Sequence, residues 1–381
     1  MKRAALVVDT DAHYAEPLEE LAEYMRDPWR SVFLSYGAAA FVPGALGDRY
    51  LGGRIRRSDV GYIRGEFKSM SPEAIPQIQA TLGVAASVVV SNTVLRLTDS
   101  SERDMTVAIF DAYIRYMLDH VVDPERGIYT MPMIPWQDPD AGARIIEEFG
   151  EHPAVVGACF CTSGMRPPLG DKRYDPIYRA AQEAGLPIVF HGTPGQPFIG
   201  GSPHADVQRL IEGHFLGFTV NNIIQLCSVL LQGIPERFPG LSFLFQESGI
   251  FWVPMMMFRL DEYFLKRRSE APLLTRLPSE YIRERFFFGT QPLEAPKDQR
   301  HLRAVVDMIG VERLVYASDY PHFDYDDPVA IRKLNCLDDQ EKHAILAGNA
   351  IDLFKLNEVA TPRWLDTPSE NARTSKTAVE S

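Results

Sequence analysis

The 381-residue sequence predicts an α/β protein, a (β/α)8 TIM barrel with long insertions after strands 1 and 5. Eight short runs rich in β-branched and aromatic residues follow one another, and most are continuously apolar, as parallel strands covered on both faces require. Helical patterns separate these runs. Asp138-Pro139, for example, supplies an N-cap followed by a proline in the first turn, and Gly185 marks a helix end. Repeated strand–helix alternation of this kind is typical of the barrel.

Each predicted strand is a run of five to eight residues, short enough for a strand rather than a helix. The eight runs are Ala5–Thr10, Ala86–Ser91, Ile128–Ile134, Val155–Thr162, Leu186–His191, Leu241–Gln246, Phe286–Thr290 and Leu314–Ser318.

The distances between the predicted strands are uneven. About 75 residues separate the first two, far more than one connecting helix needs, so we expect an insertion over roughly residues 14–80. A second long excursion follows strand 5 and extends to about Gly217. Both leave the barrel at the face where active sites lie, and a pocket wall or a decorative, dimer-forming insertion fits the first equally well. We predict one metal-dependent barrel domain over residues 1–360 and a polar tail over 361–381.

Composition limits the possible partners and the compartment. The chain is 45% hydrophobic and 24% charged, as in ordinary globular proteins, and its formal net charge of −12 disfavours nucleic acid and anionic membranes. Four cysteines form no disulfide framework, and the first apolar run is too short for a signal peptide. We therefore expect a cytoplasmic protein with no nucleic-acid or membrane partner.

Four metal-ligating residue types lie at predicted strand ends. Asp11 and His13 follow strand 1, His191 ends strand 5 and Asp319 follows strand 8. Alternate residues of extended backbone point to the same side, so Asp11 and His13 can share one small space. A set of two histidines and two carboxylates with an open position suits Zn, Fe or Mn, and a bound water could be deprotonated near neutral pH. The sequence therefore predicts a site for one divalent ion, or two, at the barrel mouth.

Several stretches, in the same order along the chain, also carry a family resemblance. They are DTDAHYAEP, LGDKRYDPIYRAAQEAGLPIVFHG, GIPERFPGLSFLFQESGIFWVP, LVYASDYPH and ILAGNAIDLF. The sequence resembles the amidohydrolase superfamily, in the amidohydrolase-related branch that contains aminocarboxymuconate semialdehyde and aromatic-acid decarboxylases. The resemblance implies a metal held by Asp11, His13, His191 and Asp319, and a homodimer.

The sequence departs from this family pattern in two places. The first-strand pair is more often His-x-His or Glu-x-His, whereas here it is Asp11-x-His13. On strand 6 the decarboxylases usually carry a histidine, in a motif like His-x-Gly-Glu, where this chain has Glu247. Glu247 is therefore a candidate general base, acid or additional metal ligand. His214 and His322 are further catalytic candidates, with a solvent-exposed or supporting histidine as the alternative interpretation.

These residues lead to two enzymatic hypotheses. The first is a hydrolase in which metal-activated water attacks the carbonyl of an ester, thioester, lactone or amide, with Asp319 as the base. The alternative is a metal-dependent non-oxidative decarboxylase of an aromatic or unsaturated acid, with Asp319 or Glu247 as the proton donor. The aromatic residues of the insertion favour a small-molecule substrate with a hydrophobic body. A barrel that binds a metal without catalysis is the third possibility.

Overall fold

The computed structural model describes residues 6–36, 72–92, 94–95, 100, 102–193, 209–322 and 324–356. Eight strands lie within these residues, and their side chains are almost entirely buried. They are β1 (Val8–Tyr14), β2 (Ala86–Ser91), β3 (Ile128–Thr130), β4 (Ala158–Cys161), β5 (Ile188–His191), β6 (Phe243–Gln246), β7 (Phe286–Gly289) and β8 (Leu314–Val315).

Helices cover the outside of these strands. In the described part of the chain they are α1 (Leu18–Glu23), α2 (Trp29–Tyr36), α3 (Ala74–Leu82), α4 (Arg103–His120), α5 (Pro139–Phe149), α6 (Asp175–Ala184), α7 (Leu210–Leu231), α8 (Ile234–Arg237), α9 (Trp252–Lys266), α10 (Pro278–Arg285), α11 (Gln299–Ile309), α12 (Val329–Arg332), α13 (Asp339–His343) and α14 (Asn349–Phe354), with one π-helical turn, Ala344–Gly348, before α14. The Asp138 carboxylate accepts a hydrogen bond from the backbone N–H of Ala141, which confirms the predicted start of α5.

The strands form a barrel wall in two parallel sections. One has the order β1-β2-β3 and the other β4-β5-β6-β7-β8. Isolated parallel bridges, Thr130 with Val155 and Ala12 with Tyr320, join the sections at their two seams. All eight predicted strands are present in parallel pairing, so the α/β barrel prediction is confirmed.

The predicted bounds of strand 1 are wrong, because β1 begins later and extends through His13 to Tyr14. Its register with β2 shifts between Asp9 and Ala12, an irregularity beside Asp11 that an apolar pattern does not reveal. Strand 8 is shorter than predicted: beyond Val315 the chain bonds to neighbouring segments instead, for example from the backbone N–H of Thr10 to the Tyr316 carbonyl.

The predicted insertions are covered only in part. After β1 the described residues include α1, α2 and α3, whereas residues 37–71 lie outside them, as do 194–208 of the second excursion and the tail from 357 onward. The single-domain division stays a prediction.

Helix α7 contains a long apolar segment. By length and composition alone, Ile211–Leu231 could cross a membrane, and 39% of its apolar 18-residue stretch is buried in the protein. A helix in the core of a globular protein can have the same length and composition. Polar side chains of α7 form hydrogen bonds with the barrel. The Asn222 amide donates to the Gln246 carbonyl and to Ser248, and the Gln225 amide donates to the Thr162 carbonyl.

Candidate metal centre

Asp11 and His13 point into the barrel mouth from β1, as the spacing predicted. Both are buried, and Nε2 of His13 lies 3.7 Å from Oδ1 of Asp11. His191 at the end of β5 approaches the same carboxylate, with its Nε2 3.3 Å from Oδ1. Asp319, which follows β8, places its Oδ1 3.1 Å from Nε2 of His13. The fold thus brings together all four residues expected to bind the metal.

Several of these converging atoms form no hydrogen bond with any described residue, although all are buried. They are both carboxylate oxygens of Asp11, Nε2 of His13 and Nε2 of His191. Unpaired buried polar atoms cost free energy, and proteins rarely retain a group of them without a ligand. The residues Asp11, His13 and His191 could hold a metal ion, since one ligand atom from each lies within 4.8 Å of the others. This donor set fits a divalent cation.

Hydrogen bonds to backbone carbonyls set the tautomers of both histidines. Nδ1 of His13 lies 3.2 Å from the Ser91 carbonyl oxygen, and Nδ1 of His191 lies 2.7 Å from that of Gly192. Because a carbonyl only accepts, each Nδ1 carries the hydrogen and each neutral ring presents a lone pair on Nε2. Metal-binding histidines are commonly oriented in this way.

His322 lies against Asp319 on the other side of the cluster. Its Nδ1 contacts Oδ1 of Asp319 closely, and its Nε2 lies 2.9 Å from Oδ1 of Asn92. Both ring nitrogens face oxygen atoms, which suits the protonated ring, because that ring donates from both. Burial alone would raise the pKa of Asp319, but the positive charge of His322 and the close contacts with His322 and His13 hold it below its usual range.

Glu247 follows β6 and joins this second part of the cluster. Its Oε1 lies 3.6 Å from Nδ1 of His322, and its Oε2 lies 3.2 Å from Nδ1 of His191, the nitrogen turned away from Asp11. Burial and the negative charges of Asp319 and Asp11 raise the pKa of Glu247 well above its usual range. Glu247, His322, His13 and Asp319 form a second group whose ligand atoms could hold a metal.

Histidines are the basic partners of the three carboxylates of the cluster within the described part of the chain. Among the described residues, no lysine or arginine lies within ion-pair distance of Asp11, Asp319 or Glu247. Concentrated buried negative charge without a counter-charge is strongly unfavourable, so the site requires cations, either protons or a metal.

The structure does not bring His214, on α7, into either group. Its Nε2 lies 3.9 Å from Oδ2 of Asp324, and its ring packs on Phe218. The side chain is 27% exposed. His214 therefore lies at the edge of the site, and its catalytic role stays a prediction.

The backbone is held in an unusual conformation at two of these residues. Glu247 and Asp319 have φ angles of 54° and 60°, the left-handed region that costs most non-glycine residues about 1–2 kcal/mol. Hydrogen bonds hold Asp319 in place. The Ser318 hydroxyl donates to Asp9 over 2.5 Å and accepts from the backbone N–H of Tyr320. Such local strain is typical of functional sites.

Three polar residues around this site, Asp9, Asn92 and Gln291, were not predicted from the sequence, and Asp9 and Gln291 are buried. Asp9 braces Ser318, Asn92 contacts His322, and the Gln291 amide donates to Oδ2 of Asp319 over 3.1 Å. Asn92 and Gln291 each follow closely after a buried strand, the same signal that identified Asp319. Asp9 interrupts an apolar run, and a carboxylate in such a run could have identified it as a buried residue of the site.

The structure combines a parallel α/β barrel with a buried His/Asp/Glu site for a divalent ion at the carboxyl ends of the strands. This combination defines a class of metal-dependent barrel proteins. The chain belongs to the amidohydrolase family, whose model matches residues 8–356. The family resemblance given above is thereby confirmed.

Known proteins similar to the chain include several decarboxylases. A γ-resorcylate decarboxylase from Rhodococcus jostii is 24% identical over 343 residues, which cover 84% of this chain and 94% of that protein. A 5-carboxyvanillate decarboxylase from Novosphingobium aromaticivorans, with bound manganese and a nitrobenzoic acid, superimposes with a TM-score of 0.69 at 17% identity, over 93% of this chain and 98% of that one. A dihydroxybenzoic acid decarboxylase from Polaromonas, with manganese and 2-nitroresorcinol, gives a TM-score of 0.60 at 17% identity, over the same shares.

These relatives bear differently on the two enzymatic hypotheses. Membership of the family supports an enzyme, and the manganese in related structures agrees with the predicted divalent cofactor. The main prediction, hydrolysis, finds no support among these proteins, whereas the alternative, decarboxylation, matches their activities.

The pH should control metal binding through His13. Burial opposes the charged ring, but the 3.1 Å contact with Asp319 and the negative charges of Asp11 and Asp319 outweigh it and raise the pKa of His13 to about 9. Without metal, the stabilisation from this raised pKa is fully present below pH 6.5 and is lost as the pH rises through about 9. An ion must displace this proton, so we expect Mn²⁺ affinity to rise about tenfold per pH unit between pH 6 and 8. Calorimetry in buffers of different ionisation enthalpy would measure the proton released, and an affinity that is constant over this range would contradict the assignment.

Proposed function

We propose that this protein is a metal-dependent, non-oxidative decarboxylase that converts a small aromatic acid into the corresponding arene and CO₂. The observation that carries the proposal is the buried cluster in which unpaired ligand atoms of Asp11, His13 and His191 adjoin the acid–histidine group of Glu247, His322 and Asp319. The similarity to aromatic-acid decarboxylases supports the choice of reaction.

Asp11, His13, His191 and Asp319 would hold the ion. Their nitrogen and carboxylate oxygen atoms suit Mn, Zn or Fe, and the manganese of related structures favours the first. When bound, the ion supplies positive charge that can hold the substrate carboxylate and a neighbouring oxygen. One ion accounts for the unpaired atoms, and Glu247 adjoins this set rather than completing it, because it meets His191 at Nδ1.

His322 and Glu247 would supply the proton. The aromatic carbon that bears the carboxylate takes a proton from one of them, and the carbon–carbon bond to the carboxylate then breaks. Its electron pair returns to the ring as CO₂ leaves, so no electrons leave the system. The deprotonated donor then recovers a proton from solvent. Asp319 stabilises the charged form of His322, and the raised pKa of Glu247 keeps that carboxyl protonated, so that either group can donate.

The test distinguishes decarboxylation from hydrolysis by the product that each reaction releases. Purified protein loaded with Mn²⁺ is incubated with hydroxylated benzoic acids, and separately with their esters and thioesters, while CO₂ and free acid are measured. We expect CO₂ from the acids, and its loss after treatment with a chelator. Release of free acid from the esters, without CO₂ from any acid, would overturn the proposal.

Hydrolysis remains the second candidate because of one residue. Glu247 occupies the place where the resemblance implies the histidine of the decarboxylases, and a carboxylate there can assist water attack on a carbonyl. In that reaction Asp319 takes the proton of the attacking water. The substrate panel above separates the two functions directly. The homodimer and the cytoplasmic location stay predictions.

A further inference from the structure

Gln291 has a buried acceptor atom that the site described so far does not use. The side chain follows β7 at the barrel mouth and is 1% exposed. Its Oε1 forms no hydrogen bond with any residue in the described part of the chain. A metal ion explains the unpaired atoms of Asp11, His13 and His191, but the amide oxygen of Gln291 is not a usual ligand in a site built from histidine nitrogens and carboxylates.

The orientation of the Gln291 amide is fixed by its neighbours. Nε2 lies 3.1 Å from Oδ2 of Asp319 and 3.3 Å from the backbone carbonyl oxygen of Asp324. The ionised carboxylate and the carbonyl both only accept, so the NH₂ group must face them and Oε1 must face elsewhere. The unpaired atom is therefore an acceptor that requires a donor.

The backbone of Gln291 is fixed as well. Its carbonyl oxygen accepts a hydrogen bond from the backbone N–H of Gly249 over 3.2 Å, which ties this residue to the loop that carries Glu247. Gln291 thus contacts Asp319 directly and is one hydrogen bond away from the Glu247 loop. A side chain held at both ends keeps Oε1 in one place, and a placed acceptor of this kind can select a ligand.

We propose that Oε1 of Gln291 accepts a hydrogen bond from a donor group on the substrate, and that it selects aromatic acids carrying a ring hydroxyl or amino group. This inference rests on the proposed function for the identity of the substrate as an aromatic acid. Sites built to pair a substrate donor discriminate strongly against analogues that lack it, because the buried acceptor is then left unpaired. The second role of Gln291, as a positioning residue, is to hold Oδ2 of Asp319.

The experiment combines a change in the protein with a change in the ligand. Binding of benzoic acids with a hydroxyl, an amino or a methoxy group at each ring position is measured by calorimetry on Mn²⁺-loaded protein, together with CO₂ release. We expect at least one hydroxy or amino acid to bind the unaltered protein tenfold or more tightly than its methoxy analogue, and Gln291→Met to reduce this ratio to below about threefold. Comparison of the hydroxy and amino compounds identifies which donor the site takes.

Two further variants separate selection from positioning. Gln291→Glu retains an acceptor but loses the donor to Asp319, so we expect it to keep the preference for the donor-bearing acid while its Mn²⁺ affinity or turnover changes. Gln340→Met is the matched control, because Gln340 is exposed on α13. It should bind every ligand as the unaltered protein does.

Each outcome supports or overturns the inference. Equal weakening of hydroxy and methoxy ligands in Gln291→Met, or no preference in the unaltered protein, would show that Oε1 meets no substrate donor and that Gln291 only positions Asp319. A preference in binding that disappears in Gln291→Met, without CO₂ release from any acid, would support the inference while the proposed decarboxylation fails. Should Gln291→Met fail to fold, loss of the preference in Gln291→Glu would overturn the inference.

Discussion

Asp319→Asn is expected to reduce turnover by about 10³-fold while the protein stays folded. The carboxylate contacts His13 and His322 and accepts from Gln291, so the substitution removes a proposed metal ligand and the counter-charge of His322 together. The fold should tolerate it, because asparagine adopts the left-handed backbone conformation found here with little strain. Turnover, bound metal and the thermal unfolding midpoint are the measurements.

The control for this substitution is Asp352→Asn, which changes an exposed carboxylate on α14. It should leave all three measurements unaltered. Full turnover in Asp319→Asn would remove Asp319 from the mechanism, and an unfolding midpoint lowered by much more than about 5 °C would assign its role to stability instead.

His322→Gln is expected to lower turnover by about 10²-fold with the metal content unchanged. The ring lies between Asp319, Glu247 and Asn92, and we assign it the delivery of a proton rather than the binding of the ion. Glutamine can fill the space and donate a hydrogen bond, but it cannot transfer a proton near neutral pH. The pH dependence of turnover between pH 5 and 9 should therefore lose the part of the profile that reflects the titration of His322.

The exposed His301 on α11 offers the matched variant, His301→Gln, in which turnover and metal content should stay unaltered. If His322→Gln loses its metal together with its turnover, His322 belongs to the ligand set. The same substitution at His214 decides that candidate, and we expect a change of less than about threefold, because its ring lies outside the buried cluster.

The order and number of strands followed from the sequence because buried parallel strands have a strong local signature. The run at Ala86–Ser91 is entirely buried and matches β2 at both ends. The predicted strand bounds were wrong where tertiary contacts decide which residues pair between strands. At the end of β8, the chain beyond Val315 bonds to β1 and to the Asp9 side chain, and no pattern within the run encodes that choice.

The proposed metal ligands were predictable because they combine a residue type with a position at a strand end. Asp11, His13, His191 and Asp319 satisfy both conditions, and the fold brings them together. His214 has a metal-binding residue type but does not follow a strand, and it lies at the edge of the site. Gln291 satisfied only the second, since an amide is not a usual metal ligand, and its importance follows from the direction of its hydrogen bonds.

The barrel wall has two seams where strand pairing is reduced to isolated bridges, and the proposed ligands lie on both sides of one of them. Asp11 and His13 belong to the smaller section, whereas His191 and Asp319 come from the larger one. A cation bound by all four residues therefore also links the two sections of the barrel wall. Removal of the ion would then lower the stability of the fold as well as remove its chemistry.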